Sequence, residues 1–159
     1  MPKPEIDAID RRMLETLQDD GRLSVVELAD RVGLSPSPCL RRLRRLEQDG
    51  FIDGYRATLQ RSRIGLGLTV FVGIKVDGHR DENATALQDA VRAMPEVISC
   101  HIVSGEADFL LDVVMPDLGA YEHFLLGTLL KLPMVKDVRS SFAIRTVKAS
   151  APLPLRHLP

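Results

Sequence analysis

Cysteine is scarce in this chain: Cys39 and Cys100 are the only two in 159 residues, and they lie far apart. Neither belongs to a CxxC pair, and His79, His101, His123 and His157 form no ligand-spaced cluster. A zinc site is therefore not expected, nor is any cofactor. Two unpaired thiols fit a reducing cytosol, so a cytoplasmic location is expected. Long apolar runs are also missing. None approaches the roughly 18 residues of a membrane span. The first ten residues, MPKPEIDAID, lack the apolar core of a signal peptide. Excess charge of one sign is missing too, with a formal net charge of -1. Up to Arg61 there are 11 Lys+Arg and 11 Asp+Glu; beyond it there are 10 and 11. Any case for a nucleic-acid partner must rest on local distribution.

What is present is the composition of a soluble globular protein, 45% hydrophobic and 27% charged. The length allows one ordinary domain or two small ones.

The first third reads as three helices. Ile6, Ile9, Met13 and Leu17 share a face over residues 6–18, with Asp7 or Asp10 as the cap and Gly21 as the stop. Ser24-Val-Val-Glu27 is a capping-box pattern opening a second helix, with Val25, Leu28, Ala29 and Val32 on its apolar side. Gly33 ends it, and Ser35-Pro36 starts a third helix that runs to Gly50. Two amphipathic helices joined by so short a glycine turn form the helix-turn-helix pattern. Residues 51–60 (FIDGYRATLQ) favour a strand or hairpin, and the domain boundary is expected at roughly 55–65.

The remainder alternates differently. Strands are expected at 68–76, 97–104, 108–115 and 135–147, and helices at 82–94 and from Pro116-Asp117 to about Leu132. The order β-α-β-β-α-β is the split βαβ, ferredoxin-like arrangement. The fold class is thus α+β: a (winged) helix-turn-helix over 1–54, a linker strand over 55–66, a ferredoxin-like domain over 67–149 and a Pro-rich tail over 150–159. The tail, with three prolines in ASAPLPLRHLP, is expected to lack regular structure.

Both faces of the expected strands carry apolar residues. Phe71, Leu110 and Val114 lie opposite the core face. On the second helix Leu118, Tyr121, Leu125, Leu129 and Leu132 suffice for a core stripe, leaving Phe124, Leu126 and Leu130. That excess predicts a homo-oligomer.

The strongest local feature is SPSPCLRRLRRLEQDG, residues 35–50. Four arginines fall within five residues, and no acid lies between Ser35 and Leu46. On a wheel of about 100° per residue, Cys39, Leu40, Leu43 and Leu46 form the buried side. Arg41 and Arg45 fall nearly opposite, Ser37, Pro38 and Arg44 flank them, and Arg42 lies at the edge. A charge run is often only a solvated face. Here no acid in the run provides i,i+4 pairing, and the run occupies the place of a recognition helix. Double-stranded DNA is the expected partner. Arg41 and Arg45 are the first candidate contacts, followed by Arg42 and Arg44, with Ser35, Ser37 and Pro38 at the helix start. Cys39 is expected in the helical core. No catalytic constellation is visible: His101 adjoins Cys100, but strand neighbours point to opposite faces. The chain is not expected to be an enzyme. A sensor or scaffold whose helical unit binds protein is the alternative.

At this point IDRRMLETLQDDGRLSVVELADRVGLSPSPCLRRLRRLEQDGFIDGY resembles the Lrp/AsnC (leucine-responsive regulatory protein / asparagine-synthesis regulator) family of prokaryotic transcription factors. CHIVSGEADFLLDVVMPDLGAYEHFL and LPMVKDVRSSFAI resemble that family's sensing module. The resemblance runs to about residue 150. It implies a homodimer that assembles further, up to octamers or discs. It also implies DNA bending near genes of amino-acid metabolism, and a small effector, an amino acid, held between dimers. The turn Ser104-Gly105-Glu106-Ala107-Asp108 resembles the effector loop. Gly105 would let a ligand approach the backbone, and Asp108 would receive an α-amino group. Asp108 also reads as an ordinary turn-flanking acid. By resemblance the pocket draws further on Ile102, Leu118, Ser141 and Phe142. The family pattern has an aromatic where this chain has Ala107, which widens the expected pocket.

Overall fold

Capping chemistry determines where the first three helices begin. Asp7 caps α1 (Ala8–Asp19), accepting from the Ile9 and Asp10 amides, while the Asp10 carboxylate receives the Asp7 amide. Both acids proposed as caps thus act together. α1 ends at Asp19, with an extended Asp20 as its C-cap just before Gly21. Ser24 and Glu27 form the capping box of α2 (Val25–Val32) as the spacing predicts. Gly33 closes α2 with φ 74°, a left-handed conformation that suits glycine. Ser35 occupies the N-cap of α3 (Pro36–Gln48). The computed structural model describes residues 5–78, 81–149 and 151–159.

The chain divides into two units, the first formed by residues 1–58 with 148–159 and the second by 59–147. In the first, Met13, Leu14, Leu28, Ala29, Val32, Cys39 and Leu46 are buried together. The last residues belong to this unit. They are irregular, as expected, but they are packed: Leu155 adds to the helical core. The Gln18 amide brackets Leu153, donating to its carbonyl at 3.2 Å and accepting its N–H at 2.6 Å. Arg11 donates to the Leu158 carbonyl at 3.0 Å.

The strand or hairpin expected at 51–60 is absent: these residues form no regular structure and pair with no strand. β-favouring side chains make no strand without a neighbour to receive the backbone bonds. The segment is held by the Phe51 and Ile52 amides, which donate to the Leu46 carbonyl, by Phe51 and Ile52 packed against the core, and by the Tyr55 hydroxyl donating to Glu47 at 3.0 Å.

The second unit is a four-stranded antiparallel sheet in the order β2-β3-β1-β4. Its strands are β1 (Leu68–Val76), β2 (Val97–Ile102), β3 (Phe109–Met115) and β4 (Val135–Phe142), with α4 (Asp81–Arg92) and α5 (Leu118–Gly127) between them. This is the ferredoxin-like order read from the sequence. Val70, Val72, Ile74, Phe109, Leu111 and Val113 form the buried face, closed by Leu87, Val91, Tyr121, Phe124 and Leu129. The α5 side chains differ from the expected stripe. Phe124 is buried and Leu118 is exposed, whereas Leu126 and Leu130 lie outside it as expected. The helix stops at Gly127, and a 3-10 turn follows from Leu129 to Lys131. β4 also stops at Phe142, short of the expected 147.

Candidate nucleic-acid interface and effector loop

α3 is anchored by Cys39 and Leu46, both fully buried. Burial pushes the Cys39 thiol pKa upward, which suits a packing role. At the N-terminal end Ser35 is a cap by position only, because its side chain makes no capping hydrogen bond. Pro36 and Pro38 carry no N–H, so Ser37 offers the only amide among the first three helical residues. Ser35 and Ser37 are exposed and Pro38 is half-buried.

The four arginines fall into two pairs. Arg41 and Arg44 are exposed, and neither has a partner among the described residues. Arg42 donates to Asp7 at 2.6 Å and to Asp10 at 2.9 Å. Arg45 donates to the other Asp10 oxygen. The hydrogen bonds from Arg42 to Asp7 and then Asp10 push the Arg42 pKa further up. The Asp7 carboxyl is held below its usual value, first by the Asp10 amide and then, against some desolvation, by Arg42. No acid lies within the run itself; the charges that balance it come from another helix. The acids come from α1, three residues apart, so both face the same neighbour. This pairing changes the ranking, because Arg45 is engaged where the helical wheel left it free. A wheel gives the angle to the helix's own core and is blind to the charges on the next helix.

In the second unit Ser104, Gly105 and Asp108 share the turn between β2 and β3. Gly105 has φ 116°, reserved for glycine. Val103 donates to the Asp108 carbonyl at 3.0 Å, and the Asp108 amide donates to Ile74 at 2.9 Å. The Asp108 carboxylate accepts the Val76 amide at 2.9 Å, so it closes the end of β1. Glu106 is ion-paired with Arg139 on β4. A Cβ placed on Gly73 would lie 3.3 Å from that of Ala107, so the small residue at 107 sits close over the sheet.

The remaining predicted residues are spread out. Ser141 pairs opposite Phe71, on the face away from the helices. Phe142 is on the helix face, edge-on to Tyr121 with centroids 5.5 Å apart. Ile102 is 69% exposed and Leu118 62%. A cavity of about 400 Å3 beside α4 and β2 includes Ile102 but none of the other predicted effector residues. Sequence reasoning missed Arg92 and Gln88, which line that cavity, and Arg139. No periodicity marks them.

Two family models match the chain. Residues 6–53 match a winged helix-turn-helix DNA-binding domain, and residues 69–153 match the Lrp/AsnC ligand binding domain. The leucine-responsive regulatory protein of Escherichia coli (strain K12) is 44% identical over 155 residues, 98% of this chain and 94% of that protein.

The chain belongs to the Lrp/AsnC family.

The family is one of DNA-binding transcriptional regulators, and this member shares both of its domains. A transcriptional regulator from Neisseria meningitidis, solved as a complex with L-Met, superposes with a TM-score of 0.92 at 41% identity, covering 96% of this chain and 98% of that one. An AsnC-family regulator from Agrobacterium tumefaciens gives 0.91 at 38% identity, covering 97% and 100%. No described helix is long and apolar enough to cross a membrane.

Proposed function

We propose that this Lrp/AsnC regulator binds duplex DNA through α3, with Arg41 and Arg44 as its principal phosphate or base contacts. Ser35, Ser37 and Pro38 lie at the approach to the groove. The observation that carries this is the division among the arginines: Arg41 and Arg44 are exposed and, among the described residues, without a partner, on a helix whose opposite side is anchored by Cys39 and Leu46. Unengaged guanidiniums are available for phosphate oxygens and guanine edges.

The second unit takes an amino acid as effector and controls genes of amino-acid metabolism. The L-Met complex of the Neisseria relative supports this class of ligand. Ser104, Gly105 and Asp108 form one wall, with Ile102, Leu118, Ser141 and Phe142 completing the site. Because Ser141 and Phe142 face opposite sides of the sheet, a single chain does not bring all seven together. The site is completed between chains, in a homodimer that assembles further, up to an octamer. The exposed Phe71, Leu110, Leu118, Leu126 and Leu130 supply apolar surface for that assembly.

The test is fluorescence anisotropy with DNA from upstream of the gene, titrated across salt, with and without each amino acid. Binding that weakens steeply with salt, exceeds binding to unrelated DNA and shifts with one amino acid supports the reading. Specific binding that no amino acid alters removes the effector assignment. Absence of binding at low salt removes the DNA role and favours a protein partner for α3.

A further inference from the structure

Asp10 is the only fully buried charged side chain among the described residues, with 0% exposure. A buried carboxylate persists only when its oxygens are satisfied. Here Oδ1 accepts from Arg42, and Oδ2 accepts from Arg45 and from the Asp7 amide. Asp7, at the surface, takes a second bond from Arg42. Two helix-starting acids of α1 thus hold two of the four α3 arginines. Those two are not shielded: the Arg42 side chain is 26% exposed and that of Arg45 45%. A phosphate approaching α3 can reach them.

We propose that Asp10, supported by Asp7, is a positioning residue for DNA recognition that occupies Arg42 and Arg45 in place of phosphate. The consequence follows from competition. A phosphate that drew Arg45 or Arg42 away would remove one of the two cations that neutralise the buried Asp10 carboxylate, which is unfavourable. Sequence-independent backbone contacts therefore fall to Arg41 and Arg44, and α3 keeps one orientation on α1. Discrimination improves because indiscriminate attraction is held down. The inference rests on α3 being the DNA-binding helix.

The experiment compares the full-length protein with Asp10→Asn, which keeps the shape and removes the charge. Binding to the upstream duplex and to an unrelated duplex of equal length is measured across salt. The variant is expected to bind the unrelated duplex more tightly. Its dependence of log K on log salt should steepen by about 0.9 for each arginine released to a phosphate. The preference for the upstream duplex should fall by roughly tenfold, within the range of discrimination that a single bidentate base pairing provides. Asp7→Asn, at an exposed position, should move the salt dependence the same way by less, and decides the matter if Asp10→Asn does not fold. Guanidinium NMR of the wild type gives a separate readout: DNA should shift the Arg41 and Arg44 signals and leave Arg42 and Arg45 in place. Unchanged salt dependence and preference in the folded variants would overturn the proposal, as would a DNA-induced shift of Arg45 matching that of Arg41. A wild type that binds neither duplex overturns the DNA role itself, a result distinct from both.

Discussion

Four arginines of one helix have two different electrostatic fates, and substitutions should separate them. Replacing Arg41 and Arg44 together with alanine is expected to weaken binding to all duplexes and to reduce the salt slope by about 2, roughly one for each phosphate no longer neutralised. Circular dichroism should show an unchanged fold, since neither residue has an intramolecular partner among the described residues. Asp7 carries a second residue-level prediction. Its folded pKa is lowered, so its contribution to stability is present above the ordinary carboxylate value near 4. That contribution is lost as the pH falls through the lower folded value. Urea midpoints taken from about pH 5 down to about 2.5 should therefore drop less steeply in Asp7→Asn than in the wild type.

At the scale of elements, the starts of the helices were legible because caps are local chemistry. Ser24 and Glu27 lie three residues apart in the chain and meet through one helical turn. Gly33 and the β-α-β-β-α-β order were readable for the same reason, from spacing and period. What was not readable depended on neighbours distant in sequence. The partners of Arg42 and Arg45 lie 32–35 residues away. Residues 51–60 have strand-forming side chains but no partner strand. The burial of Phe124 and the exposure of Leu118 depend on how α5 lies against the sheet, which no hydrophobic count anticipates. In the effector loop the Gly105 conformation was anticipated, whereas the Asp108 bond to Val76 was not, since it joins segments 32 residues apart. Leu46→Ala, at a fully buried anchor of α3, should cost about 2–5 kcal/mol in chemical denaturation. Ending the chain after Lys148 removes the Gln18 bracket, the Arg11 bond and the Leu155 packing. The first unit should then lose about 1–3 kcal/mol, read as a lower unfolding midpoint in tryptic digestion of that unit.

For the whole molecule, the prediction concerns association. Light scattering at micromolar concentration should report a mass above the 17.6 kDa of one chain. Changing Leu126 and Leu130 to serine should lower it, because both are exposed apolar side chains, one on α5 and one on the 3-10 turn that follows it. A 17.6 kDa particle in the unaltered protein would remove the reading that the effector site is completed between chains.

The order in which the units are composed has a further consequence during synthesis. The chain leaves the first unit at residue 58, runs through all of the second, and returns at 148. A ribosome therefore finishes the sensing half before it releases the residues that Gln18 and Arg11 hold. The three helices that carry the arginines wait, without those bonds, for the last segment to be made. A message broken between the codons of residues 148 and 153 would yield an intact sensor fold joined to a weakened DNA-binding one.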